Sequence, residues 1–295
     1  MTAAIEVALI QDHHRGSAEA NLAAIEAQLE AAASDGAQLV LLQELHNGPY
    51  FCQHQDPAEF DRAEAIPGPT SERLGAVAKR LGIVIVASLF ERRAAGLYHN
   101  TAIVLERDGS LLARYRKMHI PDDPGYLEKF YFTPGDLGFH PVSTSLGKLG
   151  VLVCWDQWYP EAARLMALAG ADLLLYPTAI GWDMRDSDSE RHNQRQAWIL
   201  AQRGHAVSNG IPVMSCNRTG VEADPTERGP GIRFWGSSFI CGPQGDFLAE
   251  AAVDEPQLLR ARIDLRHTED VRRMWPFLRD RRIDAYQDLL KRFRD

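Results

Sequence analysis

The chain has 295 residues, of which 45% are hydrophobic and 24% are charged, as in a globular protein with a sizeable core. Its 32 basic and 40 acidic side chains give a formal net charge of −8, which disfavours nucleic acid and anionic membranes as partners. No apolar segment reaches the length of about 20 residues that a membrane-spanning helix needs. The first residues, MTAAIEVALIQDHH, do not show a secretory pattern, and the cysteines form no C-x-x-C pair. These features predict a cytoplasmic protein with free thiols and no membrane contact.

Short apolar runs alternate with amphipathic segments along the chain. Several runs lack polar alternation, which is typical of strands covered on both faces. The predicted strands are 5–11, 38–43, 83–90, 101–106, 149–154, 173–176, 212–217, 237–241 and 259–263, and the predicted helices are 17–33, 70–81, 161–169 and 189–209. Short turns at 91–100 and 242–246 predict antiparallel pairs. The pattern indicates a mixed-sheet α/β protein of one domain, 1–295, with a C-terminal tail from about 266.

Cys154 ends one of these runs, in GVLVCWDQWYPEAARL. A lone cysteine in an apolar run is often an ordinary core residue. The next helix pattern begins at Pro160, however, and a thiol between a strand end and a helix start can be an activated nucleophile. The residues alone leave both interpretations open.

Glu44 and Lys117 are two further candidates. Glu44 closes the run AQLVLLQEL, where it is either a solvated strand end or a general base in a partly apolar pocket. Lys117 lies in ARYRKMHIPDD, after a strand-like segment and before a long loop at 121–141. It is either a surface lysine or a cation that stabilises an oxyanion.

Three segments together resemble the nitrilase superfamily of carbon–nitrogen hydrolases. They are LLQEL around Glu44, YRKMHIP around Lys117 and VLVCWDQWYPE around Cys154, and their order and spacing fit the three signature segments of that superfamily. The resemblance implies a four-layer α-β-β-α sandwich with two mixed sheets. It also implies that Glu44, Lys117 and Cys154 are catalytic and that neither a metal nor an organic cofactor is needed.

Longer segments resemble the N-carbamoylputrescine amidases of that superfamily, which act in polyamine synthesis. They are KMHIPDDPGYLEKFYFTPGDLGF, the segment from Cys154 to Gly181, WGSSFICGPQG and FLRDRRIDAY. The resemblance implies a small cationic carbamoyl-amine as substrate and a thioester on Cys154. Lys117 and the Trp155 N–H are the expected oxyanion donors, and Glu44 is the expected base.

Other residues are expected to bind substrate or to support the site. The resemblance places Glu128, Trp155, His119, Asp122 and Tyr126 in this group. A cationic substrate tail also needs a distal carboxylate. The sequence leaves the choice open among Asp122, Asp123, Asp183, Asp186 and Asp188.

Four alternative interpretations are compatible with parts of the sequence. A zinc site at Cys52 and His54 lacks a second ligand pair with zinc spacing. A Cys–His protease, with His119 or His205, does not explain Glu44 and Lys117. A related amidase or ureidopropionase-like enzyme with an anionic substrate would need a pocket arginine, such as Arg185 or Arg191. A non-catalytic protein on the same fold is disfavoured because all three catalytic residue types are present.

The resemblance also implies a homo-oligomer. Members of the superfamily associate through outer helices, which include the one after the nucleophile, and through the C-terminal tail. The tail is rich in arginine and aromatic residues. A nucleic-acid patch there is disfavoured by the acidic chain as a whole.

Overall fold

The computed structural model describes residues 4–226 and 229–294. Its strands are Ala4–Gln11 (β1), Leu39–Leu42 (β2), Val84–Ala94 (β3), Leu97–Leu105 (β4), Leu111–Arg116 (β5), Val142–Thr144 (β6), Gly147–Val151 (β7), Leu173–Thr178 (β8), Gly181–Asp183 (β9), Val213–Asn217 (β10), Thr219–Glu222 (β11), Ile232–Trp235 (β12), Phe239–Cys241 (β13), Phe247–Glu250 (β14) and Gln257–Asp264 (β15). Its α-helices are Ala18–Ser34 (α1), Pro69–Leu81 (α2), Pro160–Leu168 (α3), Asp188–Asn209 (α4) and Leu265–Met274 (α5).

Two mixed sheets of six strands form the centre of the molecule. The first has the order β15-β1-β2-β3-β4-β5, and the second has the order β14-β13-β10-β8-β7-β6. In the first sheet β1, β2 and β3 run parallel, and in the second β7, β8 and β10 do. Helices connect these parallel neighbours, as such crossovers require.

Alternate residues of the central strands face different layers. Val7 and Leu9 of β1 belong to the core shared by the two sheets, whereas Ala8 and Ile10 pack in a separate cluster with α1 and α2. On the other side, α3 and α4 cover the second sheet through residues that include Met166, Trp198 and Ile199. The layers are therefore helix, sheet, sheet and helix, and the predicted α-β-β-α sandwich with two mixed sheets is confirmed.

The predicted strands and helices all coincide with observed ones, within a few residues at their ends. The strand-like segment noted before Lys117 is β5, and several further short elements were not predicted: β6, β9, β11, β12, β14 and α5. Three of them, β11, β12 and β9, form a small antiparallel sheet beside the main sandwich. These strands have three or four residues each and lie among glycines and charged residues, so their apolar pattern is too short to recognise.

The C-terminal segment lies on the outside of the sandwich. Its apolar side chains are unusually exposed, including Met274 at 79%, Ile283 at 70%, Leu290 at 95% and Phe293 at 82%. Within residues 4–226 and 229–294, no helix is both long and apolar enough to cross a bilayer.

Candidate active site

The ends of three strands bring the three candidate catalytic residues together. Glu44 follows β2 and Lys117 follows β5 in the first sheet, whereas Cys154 lies three residues after β7 in the second. The N–H of Glu44 donates to Thr178 O of β8 at 3.3 Å, so the turn after β2 is attached to the second sheet. The site therefore lies at one edge of the interface between the sheets.

Lys117 lies between two carboxylates. Its Nζ atom is 2.8 Å from Glu44 Oε1 and 2.6 Å from Glu128 Oε2, and all three side chains are fully buried. Glu128 belongs to a short 3₁₀ helix, Glu128–Phe130, in the loop after Lys117. The predicted grouping of Glu44, Lys117 and Glu128 is therefore present in the structure.

Neutral donors hold the two carboxylates in place. Asn100 Nδ2 donates to Glu44 Oε1 at 2.7 Å, and Tyr50 OH donates to Glu128 Oε1 at 2.7 Å. Glu44 Oε2 is buried and has no hydrogen-bond partner among the described residues. A buried carboxylate oxygen without a partner is costly, and this one is open to a further hydrogen-bond donor.

The charges of this cluster shift its titration in defined directions. Burial opposes the charged form of Lys117, but Glu128 and Glu44 outweigh it and raise the pKa of the lysine well above its usual value. Burial raises the pKa of Glu128 to about 7, with Glu44 adding to the rise and Lys117 opposing it. Lys117 is therefore a cation at neutral pH. Glu128 gains and loses its proton near neutral pH.

Cys154 occupies a backbone conformation that a residue with a side chain rarely adopts. Its φ is +43°, and it opens the 3₁₀ helix Cys154–Trp158, which leads to α3 at Pro160. Such strain costs about 1–3 kcal/mol and persists where the surrounding structure imposes it. The sharp turn separates the thiol from the strand before it, a geometry similar to that of known strand-to-helix nucleophile turns.

The Cys154 thiol is neutral at rest. Its side chain is almost fully buried, and Sγ is 3.9 Å from Ala179 O. Burial raises the pKa of this thiol well above its usual value, and the charge of Glu44 raises it further, whereas Lys117 acts in the opposite direction. A nucleophilic thiolate must therefore form by proton transfer to a nearby base.

Asp156 connects the turn of Cys154 to the strand that leads to Lys117. Its carboxylate accepts from Val153 N at 3.0 Å and from Tyr115 OH at 2.7 Å. It also accepts from the backbone N–H of His119 at 3.0 Å and from the ring of His119 at 2.7 Å. His119 stacks on Tyr159, with ring centroids 3.7 Å apart. His119 is therefore linked to the turn of Cys154 through Asp156.

A cavity of about 590 Å³ adjoins the cysteine turn. Trp155, Trp158, Tyr126 and Trp235 supply aromatic walls, and Tyr126 is fixed because its OH donates to Gly181 O at 3.0 Å and accepts from Gly181 N at 2.8 Å. Four acidic residues also line the cavity: Asp123, Asp183, Asp186 and Glu190. An aromatic and acidic lining suits a cationic ligand.

The other candidates have different surroundings. Two of the candidate carboxylates for the substrate tail do not line this cavity. Asp122 is exposed and Asp188 is fully exposed. His205 is buried with Nε2 2.7 Å from Gln157 O. Because His119 and His205 both have partners other than the Cys154 thiol, the geometry gives no support to a Cys–His pair.

Several residues of the site were missed from the sequence. Asn100 lies in the buried strand β4 within HNT, and this polar run in an apolar strand was a usable signal. Glu190 could also have been considered, because it is a carboxylate in the predicted helix 189–209 and follows Asp186 and Asp188 closely. Tyr50 and Asp156 carry no comparable signal, because their roles depend on which segments the fold brings beside them.

Comparisons with known proteins agree with this geometry. The family model described as carbon-nitrogen hydrolase matches residues 6–273. An N-carbamoylputrescine amidase of Solanum lycopersicum is 44% identical over 288 residues, which are 97% of this chain and 95% of the relative. A citrullinase of Francisella tularensis is 40% identical over 98% of this chain and 99% of the relative.

A solved structure gives the same result for the fold. The crystal structure of a carbon-nitrogen hydrolase from Helicobacter pylori has 53% sequence identity and a TM-score of 0.96, and the match covers 99% of this chain and 100% of the other. The layered fold, the matched family model and the full-length relatives agree. The chain belongs to the carbon–nitrogen hydrolase family, the nitrilase superfamily.

Proposed function

We propose that this enzyme hydrolyses N-carbamoylputrescine to putrescine, carbon dioxide and ammonia, as a step of polyamine synthesis. The observation that carries the proposal is Lys117, a buried cation held between Glu44 and Glu128 beside the thiol of Cys154. The full-length similarity to N-carbamoylputrescine amidases supports the choice of substrate.

The first half-reaction forms a thioester. Cys154 Sγ attacks the ureido carbonyl carbon while its proton passes to Glu44 Oε2, the carboxylate oxygen without a partner. The carbonyl oxygen becomes an oxyanion, which Lys117 and the Trp155 N–H stabilise. Glu44 then returns the proton to the departing nitrogen, ammonia leaves and an N-(aminobutyl)carbamoyl group remains on sulfur.

The second half-reaction releases this group. Glu44 takes a proton from water, the hydroxide adds to the thioester carbonyl, and the carbon–sulfur bond breaks as the thiol recovers its proton. The product is a carbamate, which breaks down to putrescine and carbon dioxide. No step requires a metal or an organic cofactor.

The oxyanion donors are important because ureas are poor electrophiles, since two nitrogens donate electrons to the carbonyl. Lys117 cannot act as a base while two carboxylates hold its proton, so its contribution is electrostatic. Removal of one oxyanion donor typically costs about 3 kcal/mol of transition-state stabilisation. Glu128 balances the charge of Lys117 and orients it.

The distal ammonium of the substrate is assigned to the acidic cavity. Asp183 is engaged by Arg185, with Nε–Oδ1 at 2.9 Å and Nη2–Oδ2 at 2.6 Å. Asp186 and Glu190 make no ion pair with any described residue and share only the neutral donor Gln194. Asp123 also lines the cavity and makes no ion pair with a described residue, so these three carboxylates are available to a cation, with Trp155 and Trp158 beside them.

Substrates with a carboxylate at the distal end are the main alternative, because a citrullinase is also similar over the full length. Such a substrate needs an unpaired pocket cation. Arg185 is occupied by Asp183, and Arg191 donates to Met184 O at 2.8 Å. The charge of the cavity therefore favours the diamine derivative.

Ammonia release from three ureido compounds tests the proposal. We expect turnover of N-carbamoylputrescine with a kcat/KM at least about tenfold above that of citrulline or N-carbamoyl-β-alanine, because both of these compounds carry a carboxylate that the acidic cavity would repel. Turnover of N-carbamoyl-β-alanine or citrulline without N-carbamoylputrescine would overturn the substrate assignment and leave the cysteine mechanism intact.

The proposal extends to the assembly. We propose one domain with a tail, from about residue 266, that contacts other copies of the chain in a homo-oligomer. The concentration of exposed apolar residues in this one segment, including Met274, Ile283, Leu290 and Phe293, supports this, because apolar surface gathered in one region is typical of an interaction site. Light scattering on the full chain with Leu290→Asp and Phe293→Asp should show a smaller assembly, and an unchanged mass would contradict it.

A cytoplasmic location is part of the same proposal. The described cysteines Cys52, Cys154, Cys216 and Cys241 are all free and buried. Free thiols are typical of a reducing compartment, where the catalytic thiol would remain available.

A further inference from the structure

A buried arginine outside the catalytic set binds the turn that carries Glu44. Arg218 follows β10 of the second sheet, and its side chain is 1% exposed. Its Nη2 donates to Glu44 O at 3.2 Å and to Leu45 O at 2.8 Å, and its Nη1 donates to Gly48 O at 3.0 Å. One guanidinium thus binds three carbonyl groups of a single turn on the opposite sheet.

This turn has a conformation that the backbone alone disfavours. Leu45 has a φ of +48°, in the left-handed region that favours glycine. A residue with a side chain stays there only when its surroundings impose the conformation. The bonds from Arg218 act on Leu45 and on Glu44 itself, so they supply much of that constraint.

Arg218 is also connected to the second carboxylate of the site. Its Nη1 donates to Glu222 Oε1 at 2.6 Å, and Glu222 Oε2 accepts from the backbone N–H of Tyr50 at 2.7 Å. The hydroxyl of Tyr50 in turn donates to Glu128 Oε1 at 2.7 Å. The Arg218–Glu222 pair therefore joins the turn of Glu44 to the segment that holds Glu128.

The reaction depends on how the two sheets are aligned, because Glu44 follows a strand of the first sheet and Cys154 follows a strand of the second. We propose that Arg218 is a positioning residue, which fixes the Glu44 carboxylate relative to the Cys154 thiol by binding the carbonyls of the Glu44 turn. The inference rests on the proposed function only in taking Glu44 as the base for that thiol.

Alkylation of Cys154 tests this role without any choice of substrate. In the reaction with iodoacetamide, Sγ bonds to the methylene carbon, iodide leaves and the thiol proton passes to the base. The rate at Cys154 is measured at neutral pH by peptide mass spectrometry, which separates it from the other three cysteines. Because burial of the thiol opposes its spontaneous ionisation, the rate reports whether Glu44 is in place.

The decisive comparison is a double-mutant cycle of Arg218→Lys and Glu44→Gln. Arg218→Lys keeps the charge and removes the forked geometry. We expect each single variant to slow alkylation, by about 10²-fold for a base displaced by about 1 Å. We expect the double variant to be no slower than Glu44→Gln alone, because Arg218 then has no base to position.

Arg203→Lys is the matched control. Arg203 also donates to a backbone carbonyl, Gly245 O at 2.6 Å, and lies over an aromatic ring, that of Phe247 at 4.4 Å. It belongs to α4 on the outside of the second sheet. We expect its replacement to leave the alkylation rate of Cys154 unchanged.

Each outcome is informative. Equal losses from Arg218→Lys in the wild-type and Glu44→Gln backgrounds would show a purely structural role and overturn the proposal, as would no loss in either. It would also be overturned if Glu44→Gln alone left the rate unchanged. If Arg218→Lys does not fold, Glu222→Gln replaces it in the same cycle. We then expect a smaller loss of the alkylation rate at Cys154, and again no further loss in the Glu44→Gln background. If the cycle succeeds but N-carbamoylputrescine is not hydrolysed, only the substrate assignment fails.

Discussion

Asp156 accepts hydrogen bonds from both the backbone N–H and the ring of His119, at 3.0 and 2.7 Å. The two residues belong to opposite sides of the site, since Asp156 follows Cys154 by two positions and His119 follows Lys117 by two. This contact ties the turn of Cys154 to the segment that carries Lys117. It is a further polar connection between the sheets, beside those that the Glu44 turn makes with Arg218 and with Thr178 O.

Replacement of Asp156 by asparagine should separate the two catalytic residues. One amide oxygen cannot accept all four bonds that the carboxylate accepts, and the amide group would face N–H donors. We expect a loss of about 1–3 kcal/mol in the free energy of unfolding and a fall in kcat of about 10²-fold. Urea unfolding and ammonia release measure the two effects.

Tyr115→Phe is the control for that substitution, because it removes one of the four donors and leaves the carboxylate. It should cost about 1 kcal/mol and little activity. Equal losses of kcat in the two variants would contradict the idea that Asp156 aligns the site.

Lys117→Met should be the most destabilising of the catalytic substitutions. It leaves Glu44 and Glu128 buried without their shared cation. Removing one partner of a buried ion pair costs about 3–5 kcal/mol, and the oxyanion donor is lost as well. We expect urea unfolding at a lower denaturant concentration and no measurable ammonia release.

Adding Glu128→Gln to Lys117→Met separates these two effects. One uncompensated charge is then removed, so part of the stability should return while activity stays absent. Recovery of activity in the double variant would show that Lys117 acts only through charge balance and does not stabilise the transition state.

The stability of the enzyme should depend on pH through Glu128. Its pKa rises from 4.5 to about 7 on folding, so in this interval the native chain holds a proton that the unfolded chain releases. This contribution to the free energy of unfolding is present below pH 4.5 and is lost as the pH rises through 7.

Comparison with Glu128→Gln isolates that contribution, because the other titrating groups remain. The free energy of unfolding of the wild type should fall relative to the variant as the pH rises from about 5 to about 8. Denaturant unfolding at a series of pH values measures the difference. A difference that is constant, or that grows with pH in favour of the wild type, would contradict the raised pKa.

Glu190→Gln should weaken binding of the substrate ammonium. Glu190 lines the cavity and makes no ion pair with the described residues. We expect KM for N-carbamoylputrescine to rise about tenfold, as for loss of one charge-assisted bond, with kcat changed less. For a neutral N-alkylurea of similar length, KM should stay the same.

Asp188→Asn is the matched control for Glu190→Gln. Asp188 lies on the same helix, is fully exposed and does not line the cavity. Its replacement should leave both kinetic constants unchanged. An equal rise of KM in the two variants would indicate a general effect of net charge and would remove Glu190 from the proposed subsite.

Much of the fold was predictable because the central strands are uninterrupted apolar runs that are separated by clear helix patterns. Glu44, Lys117 and Cys154 were each ambiguous alone and became a set through the order and spacing of three segments. Asn100, Tyr50 and Arg218 were not found in this way. Their contacts with the catalytic set cross from one strand or loop to another, and no spacing along the chain encodes that register. Gly-rich, polar segments also hid the third sheet.

Detection of the acylated enzyme is the sharpest test of covalent catalysis by Cys154. The wild-type enzyme is mixed with N-carbamoylputrescine, quenched in acid before the first turnover is complete and analysed by peptide mass spectrometry. We predict a mass increase equal to one N-(aminobutyl)carbamoyl group on the peptide that contains Cys154, and no adduct or ammonia with Cys154→Ala. Full turnover by Cys154→Ala, or an adduct on another residue, would contradict the mechanism.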